Sequence, residues 1–183
     1  MPGHIDDVRI EPLGDHHFLE AFSCTHEGIT GYVGTRCRID HAEYRIRARV
    51  AVEGDNPKVI GFYSLVISSL VPLTITGRIG HKFGKKREIP AVYLAAVATD
   101  ADHERNGVGA KLMLDALKRT LEIADRAGTA CLTLDAIDEE RAKWYERLEF
   151  QRFGTTGDGK IQMYLPIWKI EEAIPRNQIS ICR

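Results

Sequence analysis

Hydrophobic and polar positions along this chain predict short strands framing one long amphipathic helix. Arg45 to Val52 alternates, with Ile46, Ala48 and Val50 set against Arg45, Arg47 and Arg49, the period of a half-buried strand. Gly54-Asp-Asn-Pro57 supplies a turn. Val59 to Ser68 reads as a second strand, so the two form a hairpin. Val92 to Ala98 is almost continuously apolar, as expected for the middle of a sheet. Nearer the start, Asp15 to Leu19 and Gly28 to Arg36 read as short helices. Arg78 to Glu88 reads as a basic, glycine-containing loop closed by Pro90.

Val108 to Ala127 is the clearest helix. Val108, Leu112, Ala116, Leu117, Leu121 and Ala124 form one apolar stripe, and Gly128 stands where a C-cap belongs. Asp115 with Arg119, and Glu122 with Arg126, have the i, i+4 spacing of exposed ion pairs. Ala130 to Leu134 is another buried strand. Asp138 can cap a helix running to about Leu148. Phe150 to Phe153 and Ile161 to Pro166 read as two last strands joined through Thr155–Lys160. The tail from Trp168 to Arg183 carries Ile170, Ile174, Ile179 and Ile181, enough apolar surface to dock on its own core, a second subunit or a partner protein.

With 183 residues, 44% of them hydrophobic, one domain is the expectation. A chain of this size buries roughly 70% of its unfolded surface without covalent staples. The net charge of −1 excludes a globally basic nucleic-acid binder while leaving room for a local basic patch. Cys24, Cys37, Cys131 and Cys182 have no CxxC spacing, which predicts reduced thiols and a cytoplasmic setting. Met1 to Asp7 lacks the basic flank and apolar core of a signal peptide. Ser64 to Leu73 is too short and serine-rich to span a bilayer, so no membrane association is expected. The seven histidines show no metal-ligand spacing. His16-His17 reads as surface, and Cys24 and Cys131 as buried thiols. No metal is expected.

The order around Gly107 is the main chemical signal. An apolar strand, Val92 to Thr99, leads through Asp100 to Glu104 into Arg105-Asn-Gly-Val-Gly-Ala110, and then into the long helix. Such an order presents unpaired backbone N–H groups at a helix N-terminus, which suits a phosphate. Glycines here also permit close packing, so the pattern alone is weak. A Walker loop is excluded because no Lys-Ser/Thr follows Gly109. Leu112 fills the third glycine position of a dinucleotide fingerprint.

Leu94-Ala-Ala-Val-Ala-Thr-Asp100 and Glu104-Arg-Asn-Gly-Val-Gly-Ala-Lys-Leu-Met113 resemble the acetyl-CoA motif of the GNAT acetyltransferases. The family pattern Gln/Arg-x-x-Gly-x-Gly/Ala falls on Glu104, Gly107 and Gly109, with Glu104 departing and Arg105 beside it. Trp144-Tyr-Glu-Arg-Leu-Glu-Phe150 is similar to the family's Phe-Tyr-x-x-x-Gly-Phe, with Glu149 in place of glycine. A glutamate in a left-handed cap costs about 1 kcal/mol, which predicts a different cap here. The resemblance covers about Phe18 to Ile167. It implies an α+β, α/β/α-layered GNAT fold. That fold has a mixed central sheet of six to seven strands, helices on both faces and a splayed central strand pair. It also implies one GNAT domain over 1–183, with 168–183 a C-terminal extension.

By the same resemblance, acetyl-CoA is bound by Val97, Ala98, Thr99, Arg105, Asn106, Gly107, Val108, Gly109 and Ala110, and Tyr145 is the general acid for the leaving thiolate. A phenol near pKa ~10 holds a proton at neutral pH; on residue chemistry alone, Tyr145 equally packs its helix on the sheet. No general base stands out. Glu139, Asp135 and His103 are candidates, each also readable as a solvated or capping residue. That gap favours an α-amine, with pKa ~7.7–8.0, over a lysine at ~10.4.

The acceptor is suggested by Arg78, His81, Lys82, Lys85, Lys86 and Arg87, a basic run just before the apolar strand. It suits an RNA backbone, and equally a solvated surface or the cofactor's adenosine phosphate. Phe22 to Val33, Gly61-Phe-Tyr-Ser-Leu65 and Gln162-Met-Tyr-Leu-Pro166 resemble the toxin-type GNAT branch. Ser23 and Thr25 depart from its opening motif. This branch acetylates the α-amino group of aminoacyl-tRNA and pairs with a ribbon-helix-helix antitoxin. It implies aminoacyl-tRNA as acceptor, Arg78, Lys82, Lys85, Lys86 and Arg87 as tRNA contacts, and room for a homodimer. The alternatives are a protein N-terminal or small-amine acetyltransferase, or a non-catalytic acyl-CoA-sensing or RNA-binding module.

Overall fold

The computed structural model describes residues 5–70, 77–83 and 88–174. Along them run β1 (Val8–Pro12), α1 (Glu27–Thr35), α2 (Cys37–Ala42), β2 (Arg47–Glu53), β3 (Gly61–Leu70), α3 (Gly77–Phe83) and β4 (Ile89–Thr99). They are followed by α4 (Val108–Ala127), β5 (Cys131–Ala136), α5 (Glu139–Glu146), β6 (Gln151–Thr155), β7 (Ile161–Pro166) and α6 (Ile167–Ala173). Among the described residues no helix is long and apolar enough to cross a membrane.

The seven strands form a mixed sheet in the order β1-β2-β3-β4-β5-β7-β6. β2 pairs antiparallel with β1 and β3, and β7 lies antiparallel between β5 and β6. β4 and β5 are parallel, with register partners Ala91–Cys131, Val92–Leu132 and Tyr93–Thr133. Beyond Thr133, β5 stays paired to β7 as far as Ala136 opposite Ile161. The mixed seven-stranded sheet with its parallel β4–β5 pair is the sheet that the GNAT resemblance implies.

Contacts along the backbone group the chain into two compact units. One holds the residues up to Val66 with Leu94–Ala116; the other holds Ile67–Tyr93 and the residues from Leu117 onward. In the first unit, alternation along the β2–β3 hairpin sorts its two faces. Val50 and Phe62, cross-strand partners, join a core with Val33 and Cys37, against which Ile29 and Tyr32 also pack, so α1 and α2 cover that face. Arg49 and Tyr63, the next partners, point the other way, to α4. Gly61 lets α4 lie close: a Cβ there would come within 2.9 Å of Leu112 Cδ1 and 3.0 Å of Val108 Cγ1.

Asp115 joins α4 to that face. Its Oδ2 accepts from Arg49 Nε at 2.7 Å and from the Tyr63 hydroxyl at 2.6 Å. Asp115, read from its spacing as exposed, turns its carboxylate to the sheet. Arg119 bonds Glu122 at 2.6 Å instead of leaving Glu122 to Arg126.

In the second unit Ile79, Ile89, Ala91, Cys131 and Tyr164 form a core lined by Leu70, Ala130, Phe153 and Trp168. Ile79 belongs to α3, where the sequence predicts a loop. The segment is anchored by this one buried isoleucine and by Arg78, whose guanidinium lies 4.6 Å over the Trp168 ring. The tail starts as α6 after Pro166 and buries Ile170 and Ile174; its later residues, Ile179, Ile181 and Cys182 included, fall outside the described range. Three further differences lie near the N-terminus. Residues 15–19 form a turn and a bridge from Phe18 to Lys58 rather than a helix, while β1 and α2 were not foreseen.

Replacing Asp115 with alanine removes the carboxylate to which the half-buried Arg49 guanidinium and the buried Tyr63 hydroxyl donate. It is expected to lower stability by about 2–4 kcal/mol, read as a fall in the urea midpoint at unchanged m-value.

Candidate active site

The turn from β4 into α4 is held by a buried carboxylate. Asp100, 3% exposed, accepts from Ser23 N at 3.0 Å, Asp102 N at 3.3 Å and His103 Nδ1 at 3.1 Å. Ala101 N donates to Ser23 O at 2.7 Å, which ties the same loop from the backbone. After the 3-10 turn Ala101–His103, the chain passes through two left-handed residues, Arg105 at φ 61° and Gly107 at φ 82°. Left-handed residues in such a turn gather successive N–H groups into a concave anion site.

The first bond of α4 runs from Lys111 N to Gly107 O at 3.1 Å. The amides of Val108, Gly109 and Ala110 precede it and have no intrahelical partner, at the positive end of a twenty-residue helix. Val108 is buried and fixes the helix start, while Arg105, Asn106 and Gly107 are exposed. A Cβ on Gly109 would lie 3.5 Å from Thr99 Oγ1, so bare backbone runs beside the end of β4. Lys111 itself is occupied, donating to the carbonyls of Ile5 and Val8. Exposed amides, an adjacent guanidinium and glycine backbone fit a diphosphate. Val97, Ala98 and Thr99 lie half-buried at the end of β4 in the same unit.

Tyr145 belongs to the second unit, on α5. Asp138 caps that helix, its Oδ1 accepting from Arg141 N at 2.7 Å. The Tyr145 ring is buried, edge-on to Trp144 at 4.9 Å and to Phe150 at 5.5 Å. Burial pushes its phenol up to about 12, against a smaller opposing pull from Arg141. The helix ends with Leu148 N and Phe150 N donating to Tyr145 O at 2.9 and 3.1 Å. Glu149 adopts φ 68°, so the left-handed bend forms with glutamate where a different cap was expected. Its carboxylate accepts from Lys169 at 3.1 Å on the surface.

The base candidates separate clearly. Glu139 accepts two bonds from Arg152, at 2.7 and 2.8 Å, and Arg152 holds its carboxyl below the usual range. His103 spends Nδ1 on Asp100 and places Nε2 3.9 Å from Glu53. Asp135 accepts from the Tyr93 hydroxyl at 3.0 Å. Burial lifts the Cys37 thiol to about 11 and that of Cys131 to about 12, too high for nucleophiles.

The histidine pair departs from its surface reading. His16 is exposed, but His17 is buried, and with Glu11 the two bring donor atoms within 4.8 Å of one another. Gly14 N donates to His17 Nδ1 at 2.9 Å, which leaves the neutral ring's proton on Nε2, donated to Glu11 at 3.0 Å. That polarity suits a hydrogen-bonded brace and blocks Nε2 as a metal ligand. Of the basic residues, Arg78 and Lys82 lie on α3; Lys85, Lys86 and Arg87 lie outside the described residues. The organising part of Asp100 was not foreseen, though a lone acid closing an apolar strand is a signal for it.

A mixed seven-stranded sheet with a parallel β4–β5 pair, and a glycine-marked helix start following β4, define the GNAT class of fold. No protein-family model matches the chain. It is 30% identical over 167 residues to the probable toxin TacT of Sinorhizobium fredii (strain NBRC 101917 / NGR234), covering 86% of this chain and 90% of that one. It is 24% identical over 151 residues to a tRNA-acetylating toxin of Mycobacterium tuberculosis (strain ATCC 25618 / H37Rv), covering 82% and 87%. Among solved structures, AtaT complexed with acetyl-methionyl-tRNAfMet matches with a TM-score of 0.81 at 24% identity, over 91% of this chain and 99% of that one. A variant of AtaT bound to acetyl-CoA and the C-terminus of the antitoxin AtaR matches at 0.75 and 24%, over 92% and 98%. The chain belongs to the toxin-type branch of the GNAT acetyltransferases.

Replacing Glu149 with glycine relieves the left-handed strain and removes only an exposed ion pair of little value. It is expected to stabilise the chain by about 1 kcal/mol, a rise of about 2–4 °C in melting midpoint by calorimetry.

Proposed function

We propose that this chain transfers the acetyl group of acetyl-CoA to the α-amino group of aminoacyl-tRNA, blocking that tRNA from use in translation. The observation that carries the reading is the left-handed turn at Arg105 and Gly107 ahead of α4, in a chain of the toxin-type GNAT branch. The named activity of its tRNA-acetylating relative, and the acetylated tRNA on AtaT, support the acceptor.

Acetyl-CoA supplies an activated thioester. The amides of Val108, Gly109 and Ala110, with Arg105, Asn106 and the Gly107 turn, hold its diphosphate. The backbone amides of Val97, Ala98 and Thr99 polarise the thioester carbonyl. Tyr145 donates its proton to the departing sulfur and recovers one from the nitrogen that gains the acetyl group. Arg78, Lys82, Lys85, Lys86 and Arg87 grip the tRNA backbone. Arg78 stacked on Trp168 gives that basic segment a fixed root in the second unit. The reading carries a ribbon-helix-helix antitoxin as partner, a homodimer as the assembled form, and the cytoplasm, where charged tRNA is found, as the place of action.

Radiolabelled acetyl transfer offered to charged tRNA, protein and polyamines together tests the acceptor. Label in charged tRNA is expected; label confined to protein or polyamine overturns it. Tyr145→Phe is expected to cut turnover by about 10²–10⁴ with acetyl-CoA affinity unchanged, and full activity removes Tyr145 from the chemistry. Because the phenol titrates only near 12, it stays protonated as pH rises, so Tyr145 produces no fall in turnover between about pH 7 and 10. Alanine at Lys85, Lys86 and Arg87 together is expected to weaken tRNA binding and flatten its salt dependence, by about 0.7–0.9 in log–log slope per lost phosphate contact.

A further inference from the structure

We propose that Asp135 recognises the α-amino group of the acceptor and that Tyr93 positions its carboxylate, an inference that rests on the acetyl-transfer reading above. Among the three base candidates, Glu139 is clamped by Arg152, and both ring nitrogens of His103 face carboxylates. Asp135 is half-buried and spends one oxygen, Oδ2, on the Tyr93 hydroxyl at 3.0 Å. Its Oδ1 has no hydrogen-bond partner among the described residues.

The fold supplies the location. β4 and β5 run parallel through the Tyr93–Thr133 pair, and Asp135 stands two residues further on, at the carboxyl end of β5, opposite Gln162 of β7. In open α/β sheets ligands lie outside the carboxyl ends of parallel strands, where neighbours diverge. Alternation puts Thr133 and Asp135 on one face. Thr133 Oγ1 is already bonded to Val92 O at 3.2 Å, so Asp135 is the next polar group along that face with an acceptor to spare. The charged neighbours are few. Lys160 feels the Asp135 charge but is paired to Asp158 at 2.9 Å, and Asp158 also acts on Tyr93. Burial lifts the Tyr93 phenol to about 12, so it remains a donor to Asp135 across the working range.

The chemistry selects the amine. A carboxylate accepts hydrogen bonds only, and an α-ammonium offers three N–H groups. Asp135 binds the ammonium and, once one proton has left to solvent, keeps an N–H so that the lone pair points away from the carboxylate. An opposite charge raises the ammonium's pKa. An α-amine starting near ~7.7–8.0 still frees a useful fraction, whereas a lysine near ~10.4 would stay locked as its cation. The same contact therefore favours α-amines over lysines.

Charged tRNA, deacylated tRNA and acetyl-CoA, measured as separate ligands, test this. Asp135→Asn is expected to raise KM for charged tRNA about 10–100-fold, the loss of one charge-assisted bond. The KM for acetyl-CoA and the affinity for deacylated tRNA stay within about twofold, and the midpoint of the kcat–pH profile moves acid by about one unit. Tyr93→Phe keeps the charge and loses the brace, so KM for charged tRNA rises about 3–10-fold at an unchanged melting midpoint. That variant decides the matter where Asp135→Asn does not fold. A wild-type chain that labels charged tRNA, with the folded variants at wild-type KM, overturns the inference alone. A wild-type chain that labels no charged tRNA overturns the acceptor reading and this inference together.

Discussion

A carboxylate buried where β4 ends governs how this chain turns toward its helix. Burying an ionised acid is costly unless donors surround it, and Asp100 is met by the N–H groups of Ser23 and Asp102 and by His103 Nδ1. Those bonds pin three successive positions of the turn and a loop far away in sequence. Asp100 N also donates to Ile60 O, next to the glycine that admits α4. With both sides fixed, the chain has few residues in which to reverse, and left-handed Arg105 and Gly107 are how it does so. The exposed amides at the start of α4 are the outcome of that constraint.

The sheet shows the same economy. Asp115 neutralises Arg49 and accepts from Tyr63 on one face of the hairpin, while Val50 and Phe62 build the apolar core on the other. A single register therefore assigns each hairpin residue to a helix. In the second unit, a short parallel register and a long antiparallel one meet on β5. Asp135 lies toward the carboxyl end of that strand, opposite Gln162 of β7.

Elements governed by local periodicity were legible in the sequence. α4 and β7 have their expected bounds, because a long apolar stripe closed by Gly128 at φ 65°, and a short run ending in proline, leave little choice. Elements governed by tertiary contact were not. α3 reads as a loop because its charges outnumber its one anchor, Ile79. α2 has six residues, too few to show a period, and depends on Cys37 burying itself and Tyr32 reaching Asp40 at 3.2 Å. The turn at residues 15–19 took the place of a helix because His17 captures Gly14 N and turns inward. Among candidate site residues, Gly107 and Tyr145 could be named from motif positions, whereas Tyr93 could not, since its partner lies on another strand.

Two tyrosines in the second unit have phenols lifted to about 12 by burial, yet their surroundings differ. The Tyr93 proton is committed to a carboxylate, so raising its pKa secures a lasting donor that orients Asp135. Tyr145 lies among aromatic rings, with no carboxylate among the causes of its shift, so its proton is retained by desolvation alone. Desolvation penalises the phenolate without giving the proton a competing acceptor. A group held in that state keeps its proton at neutral pH. The pKa values of the two phenols are alike; the carboxylate on Tyr93 suits the positioning role proposed for it, and the aromatic surroundings of Tyr145 suit the proposed acid.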